Sequence, residues 1–163
     1  MTSDMPGVSL REATPEDEEF LTQLYSTVRQ AELDLTSWSA AQRDAFVRMQ
    51  FAAQQAHYRE HYPTGVHQIV LLEGRPVGRV YWANLKDELH FLDITILPEY
   101  RSRGIGTPLL KRHLEQAAGE GKPARIYVES FNPSLRLFER LGFRCAKTDG
   151  CLLLLEWRAE NQA

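Results

Sequence analysis

Cysteine is scarce. Only Cys145 and Cys151 occur in 163 residues, too few for a disulfide framework, so a reducing, cytoplasmic setting is the default expectation. No apolar run approaches the roughly 20 residues that a membrane-spanning helix needs. The opening stretch, MTSDMPGVSL, has neither the basic start nor the apolar segment of a secretory signal. An excess of either charge is also missing: 19 Lys and Arg face 22 Asp and Glu, for a net charge of -3. That balance gives no reason to expect nucleic acid or a membrane surface as a partner. Local basic clusters remain able to hold a small phosphate ligand. Repeats, low-complexity tracts and long linkers are absent as well, which leaves a single domain, residues 1–163, with an ordered core over about residues 8–158.

What is present reads as alternating helices and strands. VSLRE at residues 8–12 alternates apolar and polar, the pattern of a first short strand. In TPEDEEF, Thr14 caps, Pro15 suits the first helical position, and three acidic residues favour the positive helix end, so a helix is expected to about residue 31. Ser39 with Gln42 three residues on predicts a second, capping-box helix that stops before Pro63. HQIVLLEGRPVGRVYWANL predicts two strands around a Glu73-Gly74-Arg75-Pro76 turn, and ELHFLDITIL a third ended by Pro98. Residues 103–118 read as a helix with Leu109, Leu110 and Leu114 on one side and Gly119 and Gly121 as its stop. ARIYVES is a strand, NPSLRLFERLGF a short helix, and RCAKTDGCLLLLEW a terminal hairpin turning at Asp149-Gly150. The order β-α-α-β-β-β-α-β-α-β-β gives an α/β (α+β) domain with a mixed central sheet flanked by helices.

PEYRSRGIG, residues 98–106, joins the third long strand to a helix. Gly104 and Gly106 satisfy a tight strand-to-helix turn and nothing more, unless the helix amides they bare accept an anion. Arg101 and Arg103 add charge there, and Ser102 and Thr107 add hydroxyl donors. A Walker loop is excluded because no G-K-[ST] follows the glycines. A Rossmann fingerprint fails because its third glycine would fall on Leu109, and hairpin strands rather than a βαβ unit precede the loop.

Arg101-x-x-Gly104-x-Gly106 after DITILPEY resembles the pyrophosphate-binding signature of the GNAT superfamily of acyl-CoA-dependent N-acyltransferases. NPSLRLFERLGF is similar to that superfamily's next motif, with the same Leu-Gly-Phe ending, and the element order matches its fold. The resemblance implies acetyl-CoA as acyl donor and an amine as acceptor, with no metal. It implies that main-chain amides of Ser102, Arg103, Gly104, Ile105, Gly106 and Thr107 hold the pyrophosphate, with Arg101 beginning the motif. The fourth strand is then expected to splay from the fifth, so that the pantetheine arm docks on Ile94, Thr95 and Ile96 as a partial extra strand. An amide near Ile96 would hold charge developing on the thioester oxygen during direct attack by the amine.

Direct attack needs a neutral amine and therefore a base or water relay. The fourth-strand position where many family members carry Glu or His is His90, and imidazole titrates near neutrality. A solvent-exposed strand histidine is the competing reading. Asp93 alternates to the opposite face in a regular strand, and a bulge would bring it round as a reserve base. The clearest departure is Phe138, where many members have the tyrosine that reprotonates the leaving thiolate; phenylalanine has no proton to give. Either CoA leaves as a thiolate, or water or Tyr127 serves, or the chain is a non-catalytic acyl-CoA-binding sensor. Asn132 sits one residue closer to that aromatic than usual, with Ser134 in the small-residue slot. It is still expected to contact the CoA arm, although Asn-Pro also starts helices unaided.

Other features compete. HYREH, His57 to His61, matches an inverted zinc-peptidase pattern but lacks a downstream carboxylate helix. These histidines are expected to line the acceptor side or to face solvent. Trp38, Tyr81 and Trp82 are candidates for an acceptor pocket or for core. Glu32 and Asp34 are candidates to attract a cationic amine or are simply solvated. Cys145 and Cys151 read as small apolar fillers of the hairpin, and CLLLLEW as a strand where a homodimer could form. Residues 14–63 carry no motif that identifies the acceptor.

Overall fold

The computed structural model describes residues 7–160; the first six residues, read above for a missing secretory signal, and the last three lie outside them. Seven strands form one sheet in the order β1-β2-β3-β4-β5-β7-β6. They are β1 Val8–Glu12, β2 Val66–Leu72, β3 Arg75–Asn84, β4 Leu89–Ile96, β5 Ala124–Glu129, β6 Arg144–Asp149 and β7 Leu152–Trp157. The helices are α1 Glu18–Leu33, α2 Ala40–His61, α3 Gly106–Gly119 and α4 Leu135–Arg140. The element order is the expected one. All neighbouring strands run antiparallel except β4 and β5, whose parallel pairing requires the crossover that α3 supplies.

Local chemistry sets the helix starts. Asp17 accepts the Thr14 main-chain N–H at 2.8 Å after a 3-10 turn over Pro15–Asp17. Ser39 and Gln42 close a reciprocal box, Ser39 N–H to Gln42 Oε1 at 2.8 Å and Gln42 N–H to Ser39 Oγ at 3.2 Å. Each such cap is worth about 1 kcal/mol. The β2–β3 turn is shorter than expected. Glu73 and Gly74 alone make it, both at positive φ, while Arg75 and Pro76 already belong to β3. Two left-handed residues match the twist of the flanking strands, which a four-residue loop would not.

The buried apolar side chains form three clusters, one of them joining Val8, Val70, Val77 and Ile96 to Ile105 and Leu109 at the start of α3. Val80, Phe91, Ile94, Leu110, Leu114, Phe138 and Phe143 pack between the sheet and α3/α4, and Leu21, Tyr25, Val47, Phe51 and Ile69 pack under α1 and α2. At about 2 kcal/mol per fully buried apolar side chain, these clusters dominate the stabilising terms. The terminal hairpin corrects one expectation: Cys145 and Cys151 are both exposed. Every residue of β6 is exposed because it is the outermost strand, with β7 on one side only. Among the described residues, no helix is long and apolar enough to cross a membrane.

Candidate active site

β4 and β5 pair only at Leu89 with Ala124, His90 with Arg125 and Phe91 with Ile126. Beyond Phe91 they part, residues 92–96 staying with β3 and residues 127–129 with β7. A β-bulge marks the parting. Phe91 opposes Trp82 and Asp93 opposes Tyr81, so Leu92 is the extra residue, and such an insertion bends and twists its strand. Its carbonyl accepts the Tyr58 hydroxyl at 2.9 Å. Leu97 N–H donates to the Val77 carbonyl on β3 at 2.8 Å. Strand alternation therefore turns the N–H and C=O of Ile96 and Ile94 to the open side.

The opening leads to two cavities. The smaller, about 220 Å³, runs beside the β4–α3 loop and is walled by Ile94, Thr95 and Ile96 on one side and by α4 on the other. Arg101, Ser102, Gly104, Ile105, Gly106 and Thr107 form its floor, and Asn132 stands at its end. Ser102 and Gly104 both have left-handed backbone, φ 62° and 77°. Alternation of this kind curls successive N–H groups toward one point, a concavity suited to an anion, and the start of α3 adds its positive end. Among the described residues no carbonyl accepts the N–H groups of Ser102, Arg103, Gly104 or Ile105 outside regular elements. A Cβ on Gly104 would meet no atom within 4 Å beyond its chain neighbours. Arg136 and Arg140, one turn apart on α4, line the same groove.

Arg101 reaches back instead of out. Its Nε donates to the Ile96 carbonyl at 3.0 Å, and burial holds the guanidinium pKa below its ordinary value. Arg103 is not part of the groove wall; it lies over the Tyr100 ring, 5.4 Å from the centroid. Phe138 also stands outside both cavities. It is 0 % exposed, packed edge-on to Phe143 at 5.1 Å and tilted against Phe91 at 6.5 Å.

The larger cavity, about 630 Å³, lies on the α1/α2 side and shares Val28, Thr95 and Asn132 with the groove. His90 and Asp93 both line it. They share a face because the bulge changes the parity of the strand: His90 opposes Ala83 and Asp93 opposes Tyr81. His90 is 5 % exposed, which removes the solvent-exposed reading. Its ring stacks on Tyr62 at 5.4 Å with 6° between planes, tilts against Tyr127 at 5.7 Å, and places Nδ1 2.7 Å from Glu88 Oε2. Asp93 accepts from Arg79 Nε at 2.7 Å and from Thr95 Oγ1 at 3.0 Å. Arg79, 2 % exposed, also donates to Gln54 at 2.7 Å and to Gln55 at 2.8 Å. Burial, then the charge of Asp93, pushes the Tyr58 phenol above its ordinary range; burial, then Glu88, raises Tyr62. Both are protonated at neutral pH.

Several side chains of this site carried no readable signal. Tyr58 and Tyr62 sit at the end of α2, and Arg29 bridges from α1 to Glu129 of β5 at 3.2 Å. The i and i+4 spacing of Arg136 and Arg140 was the one pattern that could have revealed the groove's far wall. Trp38, Tyr81 and Trp82 line neither cavity: Trp38 packs on Phe46, Tyr81 stacks on His67, and Trp82 meets His113. Glu32 and Asp34 are paired with Arg29 and Arg43. His57 lines the larger cavity and lies tilted against His61, rings 4.1 Å apart; among the described residues no group of three or more His, Cys, Asp or Glu side chains converges.

Comparisons with known proteins agree with this geometry. A stretch of 61 residues is 34% identical to an N-alpha-acetyltransferase of Saccharolobus solfataricus, covering 36% of each chain. A stretch of 77 residues is 38% identical to an uncharacterized N-acetyltransferase of Schizosaccharomyces pombe, covering 44% of this chain and 52% of that one. The chain thus spans about a third to a half of the length of these curated relatives. Among solved structures, the PaiA N-acetyltransferase of Thermoplasma acidophilum, crystallised with coenzyme A, superposes with a TM-score of 0.68 at 16% identity. That superposition covers 93% of this chain and 99% of that one, and shows a shared fold. The sequence profile of the Acetyltransferase (GNAT) family matches residues 26–143, most of the chain, and the protein belongs to that family.

Proposed function

We propose that this protein is an N-acetyltransferase that carries an acetyl group from acetyl-CoA to a primary amine of a small molecule or peptide, with residues 1–163 acting as one catalytic domain. The observation that carries this reading is the parting of β4 from β5, which opens main-chain groups of Ile94 and Ile96 beside a nest of free amides. The groove fits the donor: the nest and α3 suit a pyrophosphate, Arg136 and Arg140 add positive charge, and Thr95 and Asn132 border the channel into the acceptor cavity. Acetyl-CoA, when bound, supplies an activated thioester carbonyl.

The chain's own groups then divide the work. The Ile96 N–H, turned to the open side, holds charge developing on the carbonyl oxygen. His90 takes a proton from the incoming amine as its nitrogen bonds to the acetyl carbon and the carbon–sulfur bond breaks. The departing thiolate takes a proton from Tyr127, whose ring is 51 % exposed on the cavity wall beside His90, or from water. Asp93, committed to Arg79 and Thr95, orders the cavity floor and is the reserve base. The reading includes a reduced cytoplasmic setting and a homodimer joined through the last strands, β7 within CLLLLEW and its edge neighbour β6, which sedimentation would test.

Thiol release on mixing protein, acetyl-CoA and a panel of primary amines tests the transferase reading, with calorimetry of acetyl-CoA binding alongside. Amine-dependent release supports it. A second reading, a non-catalytic acyl-CoA sensor, is favoured by Phe138, which occupies the acid's position without a proton; binding with no release for any amine would select it.

A further inference from the structure

Glu88, just before β4, has a carboxylate with two separate tasks. Oε2 lies 2.7 Å from His90 Nδ1, and Oε1 accepts from Arg125 Nη1 at 3.1 Å. Arg125 is itself anchored, with Nε donating to Glu156 at 2.7 Å, and Glu156 also accepts from Arg158 at 2.8 Å. The parallel register that sets His90 opposite Arg125 brings these groups together at the middle of the three paired rungs, one residue before the strands part. Glu88 is therefore held from behind while it faces the imidazole.

An ionised carboxylate only accepts hydrogen bonds, so the ring nitrogen facing it must carry the proton. A neutral His90 then bears Nδ1–H and a lone pair on Nε2. Among the described residues no protein group is bonded to Nε2, while Tyr62 fixes the ring plane by stacking. We infer that Glu88 is a positioning residue that locks His90 in the Nδ1–H tautomer and keeps Nε2 as the nitrogen that receives the acceptor amine's proton. The inference rests on the transferase reading for its consequence in turnover, and on geometry alone for the tautomer.

Glu88→Gln makes a sharp test because it keeps shape. Arg125 is a donor only and takes the amide oxygen, which turns the amide NH2 toward Nδ1. Nδ1 must then accept, and the ring proton moves to Nε2. Nitrogen-15 spectra of the histidine rings in the intact protein, with His90 assigned from His90→Gln, read this directly. The wild type is expected to show a pyridine-type Nε2 and a pyrrole-type Nδ1, and Glu88→Gln the reverse. In the amine-dependent assay kcat should fall by roughly 10-fold or more, up to about 10⁴-fold where the wrong tautomer is fully populated, with KM for acetyl-CoA little changed. Unreversed ring nitrogens in Glu88→Gln overturn the inference. So does unchanged kcat in Glu88→Gln where His90→Gln is inactive. Full turnover in His90→Gln instead removes His90 as the base, and the ring spectra still decide whether Glu88 sets the tautomer.

Discussion

Gly106 lies so near Leu137 that a Cβ on it would stand 2.8 Å from Leu137 Cδ2. The two glycines of the loop therefore do different work. Gly106 lets α3 approach α4, and Gly104 faces open space with left-handed backbone. Gly106→Ala should cost about 1 kcal/mol, since the obstructing atom ends a side chain that can turn. It should weaken acetyl-CoA binding only modestly, by displacing the groove wall. Gly104→Ala should cost a similar 1 kcal/mol from backbone strain. Thermal unfolding and calorimetry of the two variants check both statements.

Asp93 and Arg79 are paired in the interior, so removing one strands the other. Asp93→Ala is expected to lower stability by about 3 kcal/mol, the cost of leaving a buried charge uncompensated, partly relieved here by Gln54 and Gln55. Chemical denaturation measures the loss. A stable Asp93→Ala protein with abolished turnover would move Asp93 from cavity floor to base.

His67 stacks on Tyr81 at 4.3 Å, with its Nε2 3.4 Å from Arg79 Nη1. Burial, then the charge of Arg79, lowers its pKa to about 4. A histidine held neutral in the folded state contributes full stability above its ordinary pKa. That contribution declines as pH falls from about 6.5 toward 4, where the unfolded chain binds the proton and the folded one does not. Partial exposure reduces the effect to about 2 kcal/mol. Unfolding free energy of the wild type should therefore drop over this window, and His67→Gln should flatten the drop.

Phe138 and Tyr127 should separate packing from proton transfer. Phe138→Ala removes a fully buried ring from between Phe91 and Phe143 and should cost about 4 kcal/mol. Tyr127→Phe should leave stability within about 0.5 kcal/mol, because the ring is half exposed and only the hydroxyl is removed. Its kcat should fall severalfold with acetyl-CoA binding intact, as steady-state kinetics will show. An unchanged kcat assigns the thiolate's proton to water.

The order of elements was legible because each carried its own local marker: the caps at Thr14 and Ser39, Pro98 after β4, and the glycines before α3. The groove beside α3 was legible because one short stretch, residues 101–107, supplies its loop, with only Arg103 outside the lining. The larger cavity was not. Tyr62, Tyr127 and Arg29 come from three elements distant in sequence, and only the packing of α1 and α2 on the sheet brings them to the cavity that His90 lines. The bulge at Leu92 leaves no mark in ELHFLDITIL, yet it decides which face Asp93 takes. Cys145 and Cys151 look apolar in sequence, but the hairpin is the outer edge of the sheet, where composition does not dictate burial.

Titration calorimetry of acetyl-CoA into the wild type and into Gly104→Glu tests the central claim most directly. The wild type should bind at one site. Gly104→Glu, which adds bulk and negative charge beside the nest of amides at a position where a Cβ meets no atom within 4 Å beyond its chain neighbours, should show no binding while remaining folded. Equal binding by the two proteins, or none by the wild type, would contradict the claim that this groove holds the donor.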